Sequence, residues 1–353
     1  MKNLTREELR AFFAARGEKP FRADQVFEWM YRHGARDFAE MTNLAKSLRE
    51  NLENDAPLLT LKIEKSLIST RDGTRKYLYR TADGCLIESV FMKYRFGSSV
   101  CVSSQAGCRM GCVFCASGQN GLTRNLTPGE LSDQLLLARR DTGEDIRHLV
   151  VMGTGEPMDN YDNVLKFLKN ITDPAGLGLG RRQISVSTCG LMPGMERFLR
   201  DMPQANLAIS LHAPNDAIRT RIMPIGKVCG VRDILAFARR YVADSGRKIT
   251  FEYVLIDRLN DRPEHADELA GNLRGLNCLV NLIPLNHVAE TGFAPSSAAA
   301  ARAFKERLEA KGVGATVRRE LGSDIAAACG QLRLAAGADQ PLNGDHFFEN
   351  PID

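Results

Sequence analysis

The sequence lacks long apolar runs, a strong net charge and low-complexity segments. No stretch reaches the roughly 18 apolar residues that a membrane helix needs, and the polar start around Thr5 is unlike a secretion signal. The 47 Lys and Arg against 43 Asp and Glu leave a net charge of only +4, which excludes a histone-like protein. With 44% hydrophobic residues in 353, we expect a globular, cytoplasmic protein with ample material for a core. Nothing demands an oligomer, so a monomer is expected.

The first 55 residues carry helical patterns and no summed charge, because ten basic residues balance ten acidic ones. Thr5 and Glu8 predict a capping box, and Gly34 predicts the end of a second helix that begins at Pro20. A third helix is expected over residues 38–52. This accessory domain could bind RNA or protein, or simply brace the main domain.

Residues 56–97 have the β-branched and aromatic runs of a small antiparallel sheet, divided by turns at Gly73 and Gly84. Nine Lys and Arg stand against four Asp and Glu between residues 56 and 110. This surplus fits either a solvated sheet face or contact with phosphates.

Strand and helix patterns alternate from residue 98 to 335. Strand candidates such as residues 206–210 and 249–255 alternate with amphipathic helix candidates such as residues 128–140 and 231–243. The alternation predicts an α/β core with a parallel sheet, as an open doubly wound sheet or a full or partial barrel. Functional groups then belong at the carboxyl ends of the strands. Residues 336–353 form an acidic tail.

Nine cysteines, an odd number, do not suggest a secreted disulfide framework. Three of them lie within eight residues, at Cys108, Cys112 and Cys115. Structural zinc takes four ligands, usually as two separated pairs, and no second Cys-x-x-Cys pair exists here. Three thiolates instead suit a [4Fe–4S] cluster with one iron left open.

This spacing, with Phe114 just before the third cysteine, resembles the radical S-adenosylmethionine (SAM) superfamily. The resemblance implies a partial TIM-like (β/α)6 barrel in which the open iron binds SAM. Reduction would then cleave SAM to a 5′-deoxyadenosyl radical. Candidate SAM contacts follow successive strands, at Gly155, Glu156, Ser187, Ser210, Leu211, His212 and Asn286.

The whole chain further resembles the RlmN/Cfr-type RNA adenine methyltransferases, and the RlmN branch most. The matching segments are residues 21–26, 41–44, 88–93, 101–115, 125–127, 155–160, 210–212, 318–320 and 328–332. The sequence departs from the family pattern at Cys189, often Ser, and at Ala326, often Asp. We expect Ala326 to alter how the loop that carries Cys329 is held.

The resemblance implies a reaction that uses two SAM molecules per turnover. Cys329 takes a methyl group from the first SAM. The radical from the second SAM abstracts hydrogen from that methyl group, and the resulting carbon radical adds to C2 of an adenine. Glu88 then removes the C2 proton. Cys101 attacks the sulfur of Cys329, which releases the product and leaves a Cys101–Cys329 disulfide for a reductant to reset.

The implied substrates are 23S rRNA, at an adenosine of the peptidyl transferase centre, and tRNA, at the adenosine beside the anticodon. A flavodoxin or ferredoxin would supply electrons, and Arg181, Arg182, Arg318 and Arg319 could hold phosphates. Three alternatives remain open at this point. They are Cfr-type methylation at C8, a radical SAM enzyme that acts on protein, and a non-enzymatic iron–sulfur regulator that binds RNA.

Overall fold

The computed structural model describes residues 1–56, 58, 61–119, 121–285, 292–319 and 321–327. Two predicted site residues, Asn286 and Cys329, lie outside these ranges. In the part of the chain that is described, no helix is long and apolar enough to cross a membrane.

The N-terminal module contains three helices, α1 (Arg6–Ala14), α2 (Pro20–Glu28) and α3 (Lys46–Asp55). The predicted capping box is confirmed, because Thr5 and Glu8 exchange both of its hydrogen bonds. A π-helical turn extends α2 as far as Gly34, whose φ of 68° ends it.

The predicted helix over residues 38–52 is wrong in its first half. Phe38–Glu40 forms only a 3₁₀ turn, which begins at Asp37, whose carboxylate accepts a hydrogen bond from the Glu40 N–H. Met41 then leaves the helical region, with φ −82° and ψ 68°. The chain turns there and buries Met41 and Leu44 before α3 begins.

Four antiparallel strands follow in chain order: β1 (Leu61–Ile68), β2 (Arg75–Thr81), β3 (Leu86–Tyr94) and β4 (Gly97–Val102). A short hairpin of β5 (Gln105–Gly107) and β6 (Leu122–Asn125) encloses the cysteine segment. The remaining strands are β7 (Ile146–Val151), β8 (Ile184–Thr188), β9 (Asn206–Ser210), β10 (Ile249–Leu255), β11 (Cys278–Pro284) and β12 (Ala315–Val317).

Helices alternate with the later strands. They are α4 (Pro128–Thr142), α5 (Tyr161–Thr172), α6 (Met192–Asp201), α7 (Asp216–Ile222), α8 (Val231–Ser245), α9 (Pro263–Leu273) and α10 (Ala298–Ala310). Strands β4 and β7 to β11 are each followed by a helix, which gives six βα units. The pairs from β4–β7 through to β11–β12 are all parallel.

One sheet of ten strands unites the antiparallel and parallel parts, in the order β1-β2-β3-β4-β7-β8-β9-β10-β11-β12. Among the described residues β12 does not pair with β1, so the barrel stays open, as a partial barrel requires. The antiparallel strands predicted as a linker therefore extend the main sheet through the β3–β4 pair. The domain boundaries proposed from the sequence remain a prediction.

The two faces of the sheet differ in chemistry. One face carries apolar residues, such as Val100, Leu207 and Phe251, that pack under the helices in the main core. The opposite face carries polar groups, and Ser210, Glu252, Asn281 and Thr316 lie side by side on neighbouring strands. Because buried polar groups need partners, this face is suited to binding a ligand rather than to packing.

The N-terminal module is joined to the main domain by buried polar contacts. Lys2 forms a 2.5 Å ion pair with Asp133 on α4, and both side chains are buried. The Tyr31 hydroxyl accepts a 2.9 Å hydrogen bond from the Asn170 side chain on α5. These contacts show that the module braces α4 and α5.

Candidate active site

The three clustered cysteines lie in a loop held at both ends. The Cys108 N–H donates a 2.8 Å hydrogen bond to the carbonyl of Gly121, and the Val113 N–H donates a 3.0 Å bond to Ile222 at the end of α7. Gly107 precedes the loop with φ 78°, and a side chain there would collide with the backbone of Gly121. The loop is therefore fixed beside the carboxyl end of β4.

The thiols of this loop are suited to a cationic cluster. Burial raises the pKa of Cys108 to about 12 and also raises that of Cys112, where the thiolates of Cys115 and Cys108 add repulsion. A bound metal offsets both the burial of the thiolates and their mutual repulsion, because its positive charge favours the thiolate form.

The described residues contain no group of three His, Cys, Asp or Glu side chains gathered around one metal position. A [4Fe–4S] cluster does not need such a group, because each cysteine binds a different iron. The three thiols of one buried loop therefore fit that cluster, with its fourth iron open.

Glu156 connects the loops that follow β7 and β8. One carboxylate oxygen accepts a 3.0 Å hydrogen bond from the Met158 N–H, and the other accepts a 2.8 Å bond from the Cys189 N–H. Burial raises its pKa, while these backbone donors lower it. Both oxygens thus have a partner within the chain, and a contact between Glu156 and a SAM ammonium group stays a prediction.

Gly155, the other predicted residue of this loop, lies against the chain that leads to the cysteines. Its φ is 105°, and a Cβ there would come within 2.7 Å of the Gln105 nitrogen. The Thr154 carbonyl accepts hydrogen bonds from the N–H groups of Ser104 and Gln105. Glycine is therefore needed for close contact between the two loops.

His212 lies just beyond β9 and faces the cysteine loop. Its ring packs edge-on against Phe114, with the ring centroids 4.8 Å apart. Its Nδ1 accepts a 2.9 Å hydrogen bond from the Val254 N–H, so the neutral ring carries its proton on Nε2. Burial, together with the charge of Arg219, lowers the pKa of His212 to about 3.

The other predicted SAM contacts lie at the same edge of the sheet. Ser187 is near the end of β8, and Ser210 ends β9 directly before Leu211. Since β7, β8 and β9 are parallel neighbours, their carboxyl ends meet there. The described residues thus bring together six of the seven predicted SAM contacts, and Asn286 lies outside them.

Arg219, a fully buried residue on α7, was not among the residues predicted from sequence. Its guanidinium donates to the carbonyls of Ser210 and Leu211, both at 2.7 Å, and to that of Cys189 at 2.5 Å. It therefore holds the ends of β8 and β9 together. No local signal identifies it, because α7 contains a second arginine, Arg221, in similar sequence surroundings.

Glu252 on β10 was not predicted from sequence either, although its place in the strand is informative. An acid within an otherwise apolar strand is a candidate functional residue. Its carboxylate accepts a 2.9 Å hydrogen bond from the Asn281 side chain, and burial raises its pKa.

Glu88 and Cys101 occupy the polar face near the end of β4. Glu88 and Val90 lie on the same face of β3, and Val90 pairs with Cys101 on β4. The Ser103 hydroxyl donates a 2.5 Å hydrogen bond to the Glu88 carbonyl. Burial raises the pKa of Glu88 to about 7, against the opposing effect of Lys76. A carboxyl group with this pKa can accept a proton near neutrality.

The chain that leads to Cys329 approaches the same face. Ala327, two residues before Cys329, packs in one apolar cluster with Val90, Met92 and Cys101. Cys329 lies outside the described residues, so its pairing with Cys101 stays a prediction. The structure nevertheless brings the predicted base, the predicted resolving cysteine and the approach to Cys329 together.

Comparison with known proteins agrees with this fold and site. The sequence profile of the radical SAM superfamily matches residues 102–270. The crystal structure of a radical SAM methyltransferase from Sphaerobacter thermophilus superposes with a TM-score of 0.91 at 45% identity, covering 94% of this chain and 98% of that one. The fold and the cysteine loop therefore define a radical SAM protein.

The relatives in sequence identify the family within this class. The probable dual-specificity RNA methyltransferase RlmN of Pelotomaculum thermopropionicum is 50% identical, over 94% of this chain and 91% of its own length. That of Desulforamulus reducens is 48% identical, over 94% and 95%. The profile of the ribosomal RNA large subunit methyltransferase N-terminal domain matches residues 1–58. The chain belongs to the RlmN family.

Proposed function

We propose that this protein is a radical SAM methyltransferase that methylates C2 of adenosine in 23S rRNA and in tRNA, through an S-methylcysteine at Cys329. The observation that carries the proposal is the shared face of Glu88, Cys101 and Ala327. A cysteine and a buried carboxyl group on one face, next to the approach to Cys329, are the groups that this transfer requires. The RlmN names of the relatives favour C2 over the Cfr-type C8 product.

The role that we propose for each residue follows from the position of its side chain. Cys108, Cys112 and Cys115 would hold the [4Fe–4S] cluster, which with SAM supplies the 5′-deoxyadenosyl radical. Gly155, Glu156, Ser187, Ser210, Leu211, His212 and Asn286 would hold SAM at the strand ends.

Glu88 and the two remaining cysteines would complete the transfer. Glu88 would take the C2 proton once the carbon on Cys329 has joined the adenine. The unpaired electron of that adduct would return to the cluster, which gives up one electron when SAM is cleaved. The Cys101 thiolate then attacks the Cys329 sulfur, so that an S–S bond forms as the S–C bond breaks. The carbon keeps the electron pair, takes a proton and becomes the new methyl group. Two SAM molecules are used per turnover, one for the methyl group and one for the radical.

RNA would contact the exposed basic residues between positions 56 and 110 that pair with no described acid. Lys62, Lys65 and Arg95 are exposed and form no ion pair with a described acid. Arg318 and Arg319 follow β12 at the carboxyl edge of the sheet, as an RNA contact requires. Arg181 and Arg182 precede β8 and lie at the opposite edge, so we do not assign RNA contacts to these two, contrary to the expectation from sequence.

We further propose that the protein works as a monomer in the cytoplasm and receives electrons from a flavodoxin or ferredoxin. The proposed domains are an accessory domain over residues 1–55, a β-rich segment over 56–97, the core over 98–335 and an acidic tail over 336–353.

Anaerobic turnover on fragments of rRNA and tRNA, followed by mass analysis of nucleosides, tests the function. We expect 2-methyladenosine from both RNAs. Formation of 8-methyladenosine alone would establish the Cfr-type reaction instead. A methylated or sulfur-modified protein with unchanged RNA would establish the protein-directed class.

A further inference from the structure

Lys76 on β2 contacts two parts of the site at once. Its Nζ lies 2.8 Å from Oε1 of Glu88 and 3.1 Å from the carbonyl oxygen of Ala326. Both charged residues are buried, with exposures of 7% for Lys76 and 5% for Glu88. One ammonium group therefore joins the carboxylate of the predicted base to the backbone three residues before Cys329.

The turn between β1 and β2 holds the same segment of chain. The Asp324 carboxylate accepts hydrogen bonds from the Ser69 hydroxyl at 2.7 Å and from the Thr70 N–H at 3.1 Å. The Asp72 carboxylate accepts a 3.0 Å bond from the Gly322 N–H. Residues 322–326 are thus docked on the turn before the chain reaches Lys76.

We propose that Lys76 is a positioning residue that links the docked state of the Cys329 segment to the ionised state of the Glu88 carboxylate. The inference rests on the proposed function of Glu88 and Cys329. With the segment docked, Lys76 is oriented by the Ala326 carbonyl and stabilises the charged carboxylate. Without Lys76, a carboxyl group at this depth favours its neutral form and cannot accept a proton.

The surroundings of Glu88 leave Lys76 as the main source of this charge effect. Burial raises the pKa of Glu88 to about 7, and Lys76 is the only charged side chain among the described residues that lowers it again. The other ionisable groups that share this face of β2, β3 and β4 are Tyr94, the Cys101 thiol and Arg80, which forms an ion pair with Glu64. The nearby turn adds the carboxylates of Asp72 and Asp324. Each of those two carboxylates is engaged at the turn.

Lys76→Met tests the proposal, with Lys76→Arg to keep the charge and Lys93→Met as a control. Lys93 is an exposed lysine on β3 that pairs with Glu144 at the surface. The readout is the rate of 2-methyladenosine formation against pH. Because Lys76→Met raises the pKa of Glu88, the rate at neutral pH should fall about tenfold for each pH unit by which that pKa rises, and it should recover at higher pH. The Arg variant and Lys93→Met should keep the wild-type profile.

Hydrogen exchange in the same variants tests the second contact. The amides of residues 322–327 should exchange faster in Lys76→Met than in Lys93→Met, because the Ala326 carbonyl loses its donor. The proposal is overturned if Lys76→Met keeps the wild-type pH profile, if its rate falls equally at every pH, or if exchange does not change. A wild-type enzyme that makes no methyladenosine overturns the proposed function itself, which this comparison separates from a failure of Lys76 alone.

Discussion

The carboxylate of Glu156 accepts a 2.8 Å hydrogen bond from the backbone N–H of Cys189, which joins the loops at the ends of β7 and β8. Its other oxygen accepts the N–H of Met158. A residue predicted from its position to bind SAM is therefore also a fixed part of the protein that shapes the site.

Glu156→Gln should destabilise the fold as well as weaken SAM binding. The amide keeps one acceptor but places an NH₂ group against a backbone N–H, and a buried donor left unpaired costs about 1–3 kcal/mol. Urea unfolding of the variant should show this loss. Glu306→Gln, an exposed change on α10 that breaks no ion pair with a described residue, is the control and should unfold like the wild type. Equal unfolding free energies for both variants would show that the Glu156 contacts do not stabilise the fold.

The local parts of the fold could be predicted from sequence. The apolar run of β10 between polar segments predicts its strand, and Thr5 with Glu8 predicts the start of α1, because both signals act within a few residues. The cysteine loop is also predicted from a local signal, the three cysteines within eight residues. The continuity of β3 with β4 in a single sheet could not be predicted in the same way, since strand pairing depends on contacts distant in sequence.

The sequence also does not predict which charged residues are buried or what they contact. Arg219 and Lys76 have the sequence surroundings of ordinary surface residues, because only the tertiary structure decides that a carbonyl or a carboxylate surrounds them. Glu88 is predicted as the base only through the family resemblance. Its burial beside Lys76 is a tertiary contact that the sequence does not reveal.

The neutral state of His212 should make stability depend on pH. The unfolded histidine binds a proton near pH 6.5, whereas the folded one does so only near its pKa of about 3. As pH falls between these values the unfolded state alone gains the proton, so stability is lost by about 1.4 kcal/mol per pH unit. His212→Asn should lower this dependence by about one proton, and asparagine tolerates the positive φ of 55°.

Unfolding free energies of wild type and His212→Asn at mildly acidic and at neutral pH measure this difference. Parallel pH dependences in the two proteins would mean that His212 gains its proton over the same pH range in the folded and unfolded states.

Ala326 is held in a backbone conformation that its side chain disfavours. Its φ is 49° and its ψ is 45°, in the left-handed region, where alanine is disfavoured by about 1 kcal/mol and asparagine or aspartate is better tolerated. Ala326→Asn should therefore raise the unfolding free energy by up to about 1 kcal/mol. Ala82→Asn, in an exposed turn without positive φ, should change it little. A loss of stability in Ala326→Asn would show that the conformation is not a source of strain.

The two cysteines of the proposed transfer should fail in different ways when changed to alanine. Cys329→Ala removes the atom that carries the methyl group, so neither product nor adduct should form. Cys101→Ala leaves that step intact but removes the thiolate that breaks the S–C bond, so RNA should remain joined to the protein. Cys278→Ala, a buried thiol on β11 away from Glu88, should turn over normally.

The most direct measurement is therefore the mass of the protein after anaerobic reaction of Cys101→Ala with SAM, a reductant and an adenosine-containing RNA fragment. The account predicts a covalent protein–RNA species in Cys101→Ala and none in the Cys101→Ala/Cys329→Ala double variant. Free 2-methyladenosine RNA released by Cys101→Ala at the wild-type rate, with no adduct, would contradict it.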